Sequence, residues 1–364
     1  SHFMQRQVIN LAIGVTVFVL AGLIPTRLWR KYAWYILLLG LIACAMLAFL
    51  GLFLNGGIII KTNGAVRWFN FGVMSFQPAE LLKFGLIVFV SSFLGQQIRK
   101  GKLHDVNATL IPLAILIGLS GLFVIVFQKD MGTGATLLGA VAAVVFASGL
   151  DKRWLGVGAG VVLAAGVLLV LSSPHRMEQI ASYLQSDNAS NDTTSYHINQ
   201  ALIALGSGGL FGKGLGQGVQ AFGYLPEAVN DSIFAILGET FGFVGLVAII
   251  VLFGMLLRRI LVVMERTFDV TDRMIVAGIF GLLASHVIIN IGAMTGVFPL
   301  TGVTLPFLSF GGTSLMFMML SMGVVFYISR YTTHQKLTKE EDGHEAIVRR
   351  RGVGRSRDTG LRRN

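Results

Sequence analysis

The feature that most constrains this chain is a series of long apolar runs. Two examples are LIACAMLAFLGLFL at residues 41–54 and GATLLGAVAAVVFASGL at residues 134–150. About 20 consecutive apolar residues can cross a bilayer as an α-helix, which satisfies its own backbone hydrogen bonds. Hydrophobic residues make up 54% of the chain and charged residues only 13%, which is about half the charged share of a soluble domain. We therefore predict an all-α, polytopic transmembrane protein.

Nine membrane spans are predicted from these runs. They lie near residues 8–24, 34–54, 78–97, 108–127, 133–149, 154–172, 232–257, 274–296 and 309–329. The longest connection, residues 173–231, joins the sixth span to the seventh. Residues 1–330 are thus predicted to form one integral membrane domain. Residues 331–364 are predicted to be a disordered tail, because they are basic and poor in apolar residues.

The basic residues predict how the chain is oriented in the membrane. Most lysines and arginines fall in one alternating set of connections and in the C-terminal tail. The positive-inside rule places that set in the cytoplasm, so residue 1 is predicted outside and the tail inside. The net charge of +11 then needs no nucleic-acid partner, because anionic membrane lipids attract these residues at the cytoplasmic face.

Polar side chains within or beside the spans are the candidates for function, because a charge inside a bilayer is costly. Glu80 and Lys83 stand three residues apart at the start of the third span and can form an ion pair. Asp130 follows the fourth span and can cap a helix, while His286 and Asn290 can hydrogen-bond between helices. Each of these structural interpretations stays open beside a role in a substrate site.

Asp231 stands at the start of the seventh span, in YLPEAVNDSIFAILGETFGFVG (residues 224–245). One interpretation makes it the N-cap of this helix, accepting hydrogen bonds from the first turn. The other makes it a general base, whose pKa is raised towards neutrality by desolvation at the bilayer edge. Glu239, two turns further on, is either an interior hydrogen-bond partner or a protonated structural acid.

Three connections on the predicted outer side, residues 55–77, 173–231 and 297–308, are too long or too irregular for simple turns. Long ordered loops tend to carry function, so we expect the working site to open on this side. After the Ser/Asn/Asp-rich, flexible stretch 184–195, a short amphipathic helix is predicted. The glycine-rich segment that follows does not match a phosphate-binding loop, which needs Ser or Thr after the lysine where this chain has Gly214.

Four segments together resemble the signature of the SEDS family (shape, elongation, division and sporulation), with its FtsW/RodA-like glycosyltransferases. They are GAVRWFNFGVMSFQPAELLKF (64–84), QKDMGTG (128–134), YLPEAVNDSIFAILGETFGFVG (224–245) and HVIINIGAMTGVFPLTGVTLPFLSFGGTSL (286–315). They follow one another in the family's order, and the resemblance runs from about residue 5 to residue 330. The residues in LGQGVQAFGYLPEA and LGETFG resemble the division branch (FtsW) more than the elongation branch (RodA).

The resemblance implies an enzyme, a peptidoglycan glycosyltransferase of the bacterial cytoplasmic membrane. It would polymerise lipid II at the outer face, in cell division or cell-shape maintenance, with a class B penicillin-binding transpeptidase and other division or elongation proteins as partners. The family's essential aspartate falls on Asp231, which implies the general base. The candidates for substrate binding are Arg67, Lys61, Glu80, Lys83, Asp130, His286, Asn290 and Ser309. The residues predict no metal site, and a divalent cation, Mg²⁺ or Mn²⁺, is an open option for offsetting the pyrophosphate charge.

Some residues depart from the family pattern. Asn230 and Ser232 stand beside Asp231 where Thr and Phe are usual, and Lys129 and Phe310 replace a proline and a tyrosine. Family members usually have ten spans, so the first span is expected to be missing from this chain. Two other functions stay open: a transporter that flips lipid-linked precursors, and a non-catalytic scaffold that recruits the crosslinking enzyme.

Overall fold

The architecture is a bundle of α-helices. The computed structural model describes residues 2–53, 59–62, 65–70, 75–171, 193–220 and 223–331, so the predicted disordered tail lies outside the described residues except for Tyr331, which ends a helix. Each of the nine predicted spans coincides with a helix, and a shorter helix lies in the connection between the sixth and seventh. In chain order the helices are α1 (His2–Ala21), α2 (Thr26–Phe53), α3 (Pro78–Arg99), α4 (Val106–Phe127), α5 (Met131–Ala147), α6 (Lys152–Leu171), α7 (Thr193–Ser207), α8 (Ile233–Arg266), α9 (Val270–Met294) and α10 (Gly312–Tyr331).

The composition of the helices confirms the predicted all-α, polytopic class. Within the described residues, seven helices are long and apolar enough to cross a bilayer, namely α1, α2, α3, α4, α8, α9 and α10, and α5 is apolar but shorter. Large apolar side chains such as Leu39 of α2, Ile115 of α4 and Leu252 of α8 are exposed on the outside of the bundle. An apolar exterior of this kind suits contact with lipid tails rather than with water.

Glycines bring α2 and α3 into close contact. A β-carbon on Gly40 would lie 2.9 Å from the Cα of Leu82, and one on Gly85 would lie 3.0 Å from the Cα of Leu37. Small residues matter here because close packing and hydrogen bonds, rather than exclusion of water, drive helix association in a bilayer. The contact sets α3 in the middle of the bundle, where most of its residues are buried.

A small antiparallel sheet lies in the connection between α2 and α3, where the sequence predicted no strands. It consists of β1 (Ile59–Thr62), β2 (Ala65–Asn70) and β3 (Ser75–Phe76), paired in that order. Ile59 and Phe69 are paired across the sheet and are buried together with Leu47 of α2. The apolar face of the sheet therefore covers the end of α2, and this packing positions Arg67 on β2.

Helix α8 is broken at Gly242, and the glycine-rich connection before it completes the broken turn. Gly242 has φ 67° and ψ −168°, so the ladder of helical hydrogen bonds is interrupted there. Residues 209–214 supply the missing partners. The four bonds run from Phe243 N to Gly209 O (2.9 Å), Val244 N to Leu210 O (3.1 Å), Lys213 N to Glu239 O (2.9 Å) and Gly214 N to Thr240 O (3.0 Å).

The side chain of Glu239 holds the same connection in place through hydrogen bonds. Its carboxylate accepts hydrogen bonds from Lys213 Nζ at 2.8 Å and from the amides of Val219 at 3.0 Å and Gln220 at 3.1 Å. Glu239 is buried, and these three donors offset the cost of keeping a carboxylate there. Its interpretation as an interior hydrogen-bond partner is therefore confirmed. The glycine-rich segment serves this helix rather than a phosphate.

Gly242→Ala is expected to destabilise the protein by at least about 1–3 kcal/mol, because this backbone conformation is almost restricted to glycine. An added β-carbon would also meet the carbonyl of Leu210 and the amide of Gly212. The matched control is Gly254→Ala in the same helix, where no described atom would lie within 4 Å of the new carbon. Thermal unfolding in detergent measures both variants. Equal melting temperatures for the two would contradict this account of the helix break.

The connections at one end of the bundle, which we call the site end, pack against one another. Arg67 on β2 reaches the turn between α4 and α5, and the amide of Phe310 donates to the carbonyl of Val229 at 2.8 Å. At the opposite end, Arg30 of α2 pairs with Asp269 just before α9 at 2.6 Å. The site end contains the connections that the sequence predicted to lie outside the membrane.

Candidate active site

Asp231 lies at the site end, in a segment of turns (residues 223–232) that leads into α8. The N-cap position of α8 belongs to Ser232, which corrects the interpretation of Asp231 as the cap. The Oδ1 atom of Asp231 is buried and has no hydrogen-bond partner among the described residues. Buried acceptors are nearly always paired, so an unpaired carboxylate oxygen marks a position that can accept a proton or a ligand donor.

The surroundings of Asp231 favour its protonated form. Burial raises the pKa of the Asp231 carboxyl to about 7, and the negative charge of Glu227 contributes to the increase. Hydrogen bonding by the amides of Asp231 and Ser232 and by the Ser232 side chain opposes it. A carboxyl with a pKa near 7 is well suited to general-base catalysis, because it is partly deprotonated at neutral pH and still takes up protons readily.

The segment after α9, residues 301–309, holds the Asp231 turn in position. Asn290 on α9 donates from Nδ2 to the carbonyls of Asp231 and Val303, both at 2.7 Å. Gly302 lies across from the carboxylate, and a β-carbon there would be 3.9 Å from Asp231 Oδ2. Gly302 has a φ of 69° and no side chain, so only its backbone faces the carboxylate here.

Glu80, Lys83 and His286 form a buried polar chain below the 301–309 segment. Lys83 Nζ lies 2.9 Å from Glu80 Oε1 and 3.0 Å from His286 Nε2. An ammonium group can only donate, so Nε2 of His286 must accept, and Nδ1 then carries the proton. That Nδ1 faces the carbonyl of Thr304 at 3.1 Å, to which it donates. The predicted ion pair of Glu80 and Lys83 is confirmed.

Asp130 is the N-cap of α5, which confirms its interpretation as a helix cap. Its carboxylate accepts hydrogen bonds from the amide and the hydroxyl of Thr133, both at 2.9 Å, and from Gln77 Nε2 at 3.3 Å. Arg67 lies beside it, with Nε 3.9 Å from Asp130 Oδ2, and donates to the carbonyls of Gln128 at 3.3 Å and Lys129 at 2.7 Å. The Arg67 side chain is 27% exposed, so its charge can still face a ligand.

The 301–309 segment connects most of the predicted site residues. Gly132, beside Asp130, packs against the carbonyl of Thr301, where a β-carbon would clash. Ser309 closes the segment, because its hydroxyl accepts a hydrogen bond from the amide of Leu305 at 2.7 Å. The predicted residues thus reach one region from two helices, one strand and the connections that hold Asp130, Asp231 and Ser309. Lys61 lies on β1, and its side chain is outside the described residues.

Sequence reasoning missed the contact that α7 makes beside Asp231. His197 Nε2 lies 2.6 Å from the hydroxyl of Ser232. The sequence carries a signal for this contact, because His197, Ala201 and Ala204 have the spacing of one helix face. In the structure both alanines are buried. A histidine on the buried face of an amphipathic helix needs a polar partner, which the sequence alone does not identify.

Comparison with known proteins gives a consistent result. A family model named FtsW/RodA/SpoVE and described as "Cell cycle protein" matches residues 1–334. Stage V sporulation protein E of Bacillus subtilis is 36% identical over 334 residues, which cover 91% of this chain and 88% of that protein. A protein of Coxiella burnetii named "Probable peptidoglycan glycosyltransferase FtsW" is 35% identical over 335 residues, covering 91% and 87%.

Solved structures resemble the whole membrane bundle. A structure titled "Structural coordination of polymerization and crosslinking by a peptidoglycan synthase complex" contains a chain that superposes with a TM-score of 0.71 at 25% identity, covering 91% of this chain and 90% of that one. The rod shape determining protein RodA of Thermus thermophilus superposes with a TM-score of 0.65 at 27% identity, covering 91% and 88%.

Proposed function

The chain belongs to the FtsW/RodA/SpoVE family, and on that premise we propose that Asp231 is the general base with which this peptidoglycan glycosyltransferase polymerises lipid II. The observation that carries the proposal is the Asp231 carboxylate itself. It lies at the site end of the bundle, and one of its oxygens is buried and unpaired among the described residues. Hydrogen bonds and ion pairs within the protein occupy Glu80, Asp130 and Glu239, and Glu227 on the same turn accepts a hydrogen bond from Asn230.

The reaction needs one general base. The acceptor sugar hydroxyl is a poor nucleophile until it loses its proton, and a positioned carboxylate contributes about 10²–10⁴-fold by taking it. The oxygen then attacks the anomeric carbon of the donor sugar, and the bond to undecaprenyl pyrophosphate breaks. No acid is required on the leaving side, because pyrophosphate departs as an anion. The donor linkage is α and the product β, so we propose direct displacement with inversion.

The charge of the leaving pyrophosphate must be offset by cations. Among the described candidates, Arg67 is the better placed to touch substrate, since its side chain is 27% exposed whereas that of Lys83 is 1% exposed. We propose that Lys61 contributes beside Arg67. Lys83, Glu80 and His286 would support the 301–309 segment from below. We propose that Asp130, Asn290 and Ser309 act in the same way, by holding the backbone that lines the site.

A divalent cation would enter this scheme with the substrate. None of the described residues belongs to a group of three or more His, Cys, Asp or Glu side chains that could hold a metal ion. The described residues therefore offer no metal centre held by side chains of these types. Mg²⁺ or Mn²⁺ bound to the pyrophosphate of lipid II would still offset its charge, and no step proposed for Asp231 depends on it.

We propose that the site end faces the outside of the cytoplasmic membrane, with the C-terminal tail in the cytoplasm. The distribution of lysines and arginines supports this orientation through the positive-inside rule. A class B penicillin-binding protein, which crosslinks the strands, is the proposed partner, in keeping with the synthase complex among the structural neighbours. Because the full-length relatives include FtsW proteins, we propose a role in division rather than elongation.

The rate of polymerisation is expected to rise about tenfold per pH unit below a pH of about 7 and to level off above it, because only the deprotonated base is active. Since burial raises the pKa of Asp231, activity is lost as the pH falls through this range. Initial rates at low lipid II concentration, from about pH 5 to about pH 9, measure the profile. An acid limb centred near pH 4 would contradict the assignment, since that is the range of an ordinary carboxyl.

The decisive experiment follows glycan strand formation from purified lipid II. The wild-type chain and Asp231→Asn are compared at equal complex yield, each with its penicillin-binding partner whose transpeptidase is blocked. Strands from the wild type alone are expected. Strands from both proteins would show that the base lies elsewhere. If neither makes strands, transfer of lipid II across a vesicle membrane would indicate a flippase, and absence of transfer would indicate a scaffold.

A further inference from the structure

A histidine of α7 is joined to the residue that follows Asp231. His197 Nε2 lies 2.6 Å from Ser232 Oγ, and this hydroxyl also donates to the carbonyl of Pro226 at 2.9 Å. A hydroxyl has one hydrogen to donate, so with that hydrogen on Pro226 the His197 ring donates from Nε2–H to Ser232. Ser232 is fully buried, and it is thereby held from two sides.

The packing of α7 on α8 brings these groups together. Ala201 and Ala204 follow His197 on the same face of α7, and both are buried against Phe234 and Ala235 at the start of α8. Such small residues allow the two helices to approach closely. His197 is the titratable residue on this face, and the Ser232 hydroxyl meets it where the two helices come together.

The link depends on the hydroxyl of Ser232. A phenylalanine at this position, as in the family signature that the segment resembles, could not accept a hydrogen bond from a histidine. The polar contact between α7 and the Asp231 turn therefore depends on the serine. The serine beside the proposed base thus has a hydrogen-bond partner in His197.

We propose that His197 is a positioning residue for Asp231, acting through Ser232 to hold the carboxylate at the angle and in the surroundings that catalysis requires. The inference rests on the proposed role of Asp231 as the general base. His197 does not touch substrate in this proposal. It holds the Ser232 hydroxyl, whose hydrogen is given to the carbonyl of Pro226, and it thereby fixes the last turn before α8.

The electrostatic surroundings give the proposal a measurable direction. Glu227 on the same turn is the charged group that acts to raise the pKa of both Asp231 and His197. From the neighbouring α9, the neutral side chain of Asn290 contacts the Asp231 backbone. Burial lowers the pKa of His197, so its ring is neutral at the pH of the reaction. Loss of the Ser232 contact loosens the turn that buries Asp231, so water reaches the carboxylate and the acid limb of activity is expected to move to lower pH.

The test compares His197→Ala, His197→Gln and Ser232→Ala in the full chain with its partner. The glutamine amide can still donate to Ser232, whereas alanine cannot. We expect His197→Ala and Ser232→Ala to lower the maximal rate about 10- to 100-fold, the scale of a misplaced catalytic group, and to shift the acid limb to lower pH. His197→Gln is expected to restore most of the rate and the profile. Asn199→Ala, exposed on the same helix, serves as the control with unchanged activity.

A second readout does not need turnover. Dicyclohexylcarbodiimide reacts with protonated carboxyl groups in apolar surroundings, and mass spectrometry reports the labelled fraction at Asp231 against pH. The labelling midpoint should move to lower pH in His197→Ala and Ser232→Ala and stay near the wild-type value in His197→Gln. Unchanged midpoints and pH profiles in the two alanine variants would overturn the positioning role. An active Asp231→Asn would instead overturn the proposed function.

Discussion

Asp231→Asn is expected to lower lipid II polymerisation by about 10²–10⁴-fold, the contribution typical of a general base. The amide has nearly the shape of the carboxyl group but cannot take the proton of the acceptor hydroxyl. Glycan strands are measured by gel electrophoresis at pH 8, where the wild-type carboxylate is deprotonated because its pKa is about 7. Glu227→Gln is the matched control, because it changes a neighbouring carboxylate of the same turn and keeps the base.

The same substitution is expected to stabilise the folded protein at pH 8. Folding raises the pKa of Asp231 from its ordinary value of 3.8 to about 7, so the charged form is the costly one. The penalty is absent below about pH 4, grows as the pH rises, and reaches an upper limit of about 4 kcal/mol above pH 7. Asp231→Asn removes it, so the melting temperature should rise at pH 8 and change little at pH 4. A lower melting temperature at pH 8 would mean that lost activity reflects misfolding.

Lys83→Met is expected to destabilise the protein by about 3–5 kcal/mol, because it leaves a buried charge without its partner. Lys83 is 1% exposed and Glu80 is 5% exposed, so water cannot replace the lost ammonium group. His286 would also lose the donor to its Nε2 atom, and with it the fixed ring orientation that bonds Thr304. Polymerisation is expected to fall as well, since the 301–309 segment loses this support.

The double variant Glu80→Gln with Lys83→Met separates charge from packing. Removing both charges avoids the stranded carboxylate, so the double variant is expected to be more stable than Lys83→Met alone. Thermal unfolding in detergent provides the comparison, with wild type and Glu80→Gln completing the cycle. A double variant less stable than Lys83→Met would show that Glu80 and Lys83 contribute independently.

The membrane architecture could be predicted from the sequence because the bilayer restricts what an apolar run can do. Without water to satisfy the backbone, a run of about 20 apolar residues forms a helix, and all nine predicted spans coincide with helices. The same restriction singled out Glu80, Lys83 and His286, since ionisable side chains in a span need partners. Their mutual contact was not predictable, because it joins α3 to α9 across 203 positions of sequence.

Less could be predicted from the sequence about the surroundings of Asp231. The family motif identified the residue, but its unpaired oxygen and raised pKa depend on burial by groups distant in the chain. Asn290 is 59 positions away and His197 lies one helix earlier, and both reach the Asp231 turn only after α7 and α9 have packed on α8. The capping interpretation was wrong because one residue decides where α8 begins, and sequence patterns do not resolve helix ends so finely.

The sequence by itself indicated which segments would enter the membrane, which polar residues had to be explained, and which residue we propose as the base. Those properties follow from local periodicity, from the cost of charge in lipid, and from motif order along the chain. Only the tertiary structure decided that backbone carbonyls of residues 301–309 bind His286 and Asn290, that a glycine-rich loop completes a broken helix, and that His197 meets Ser232. Such contacts depend on distances between helices, which are set by close packing of many side chains at once.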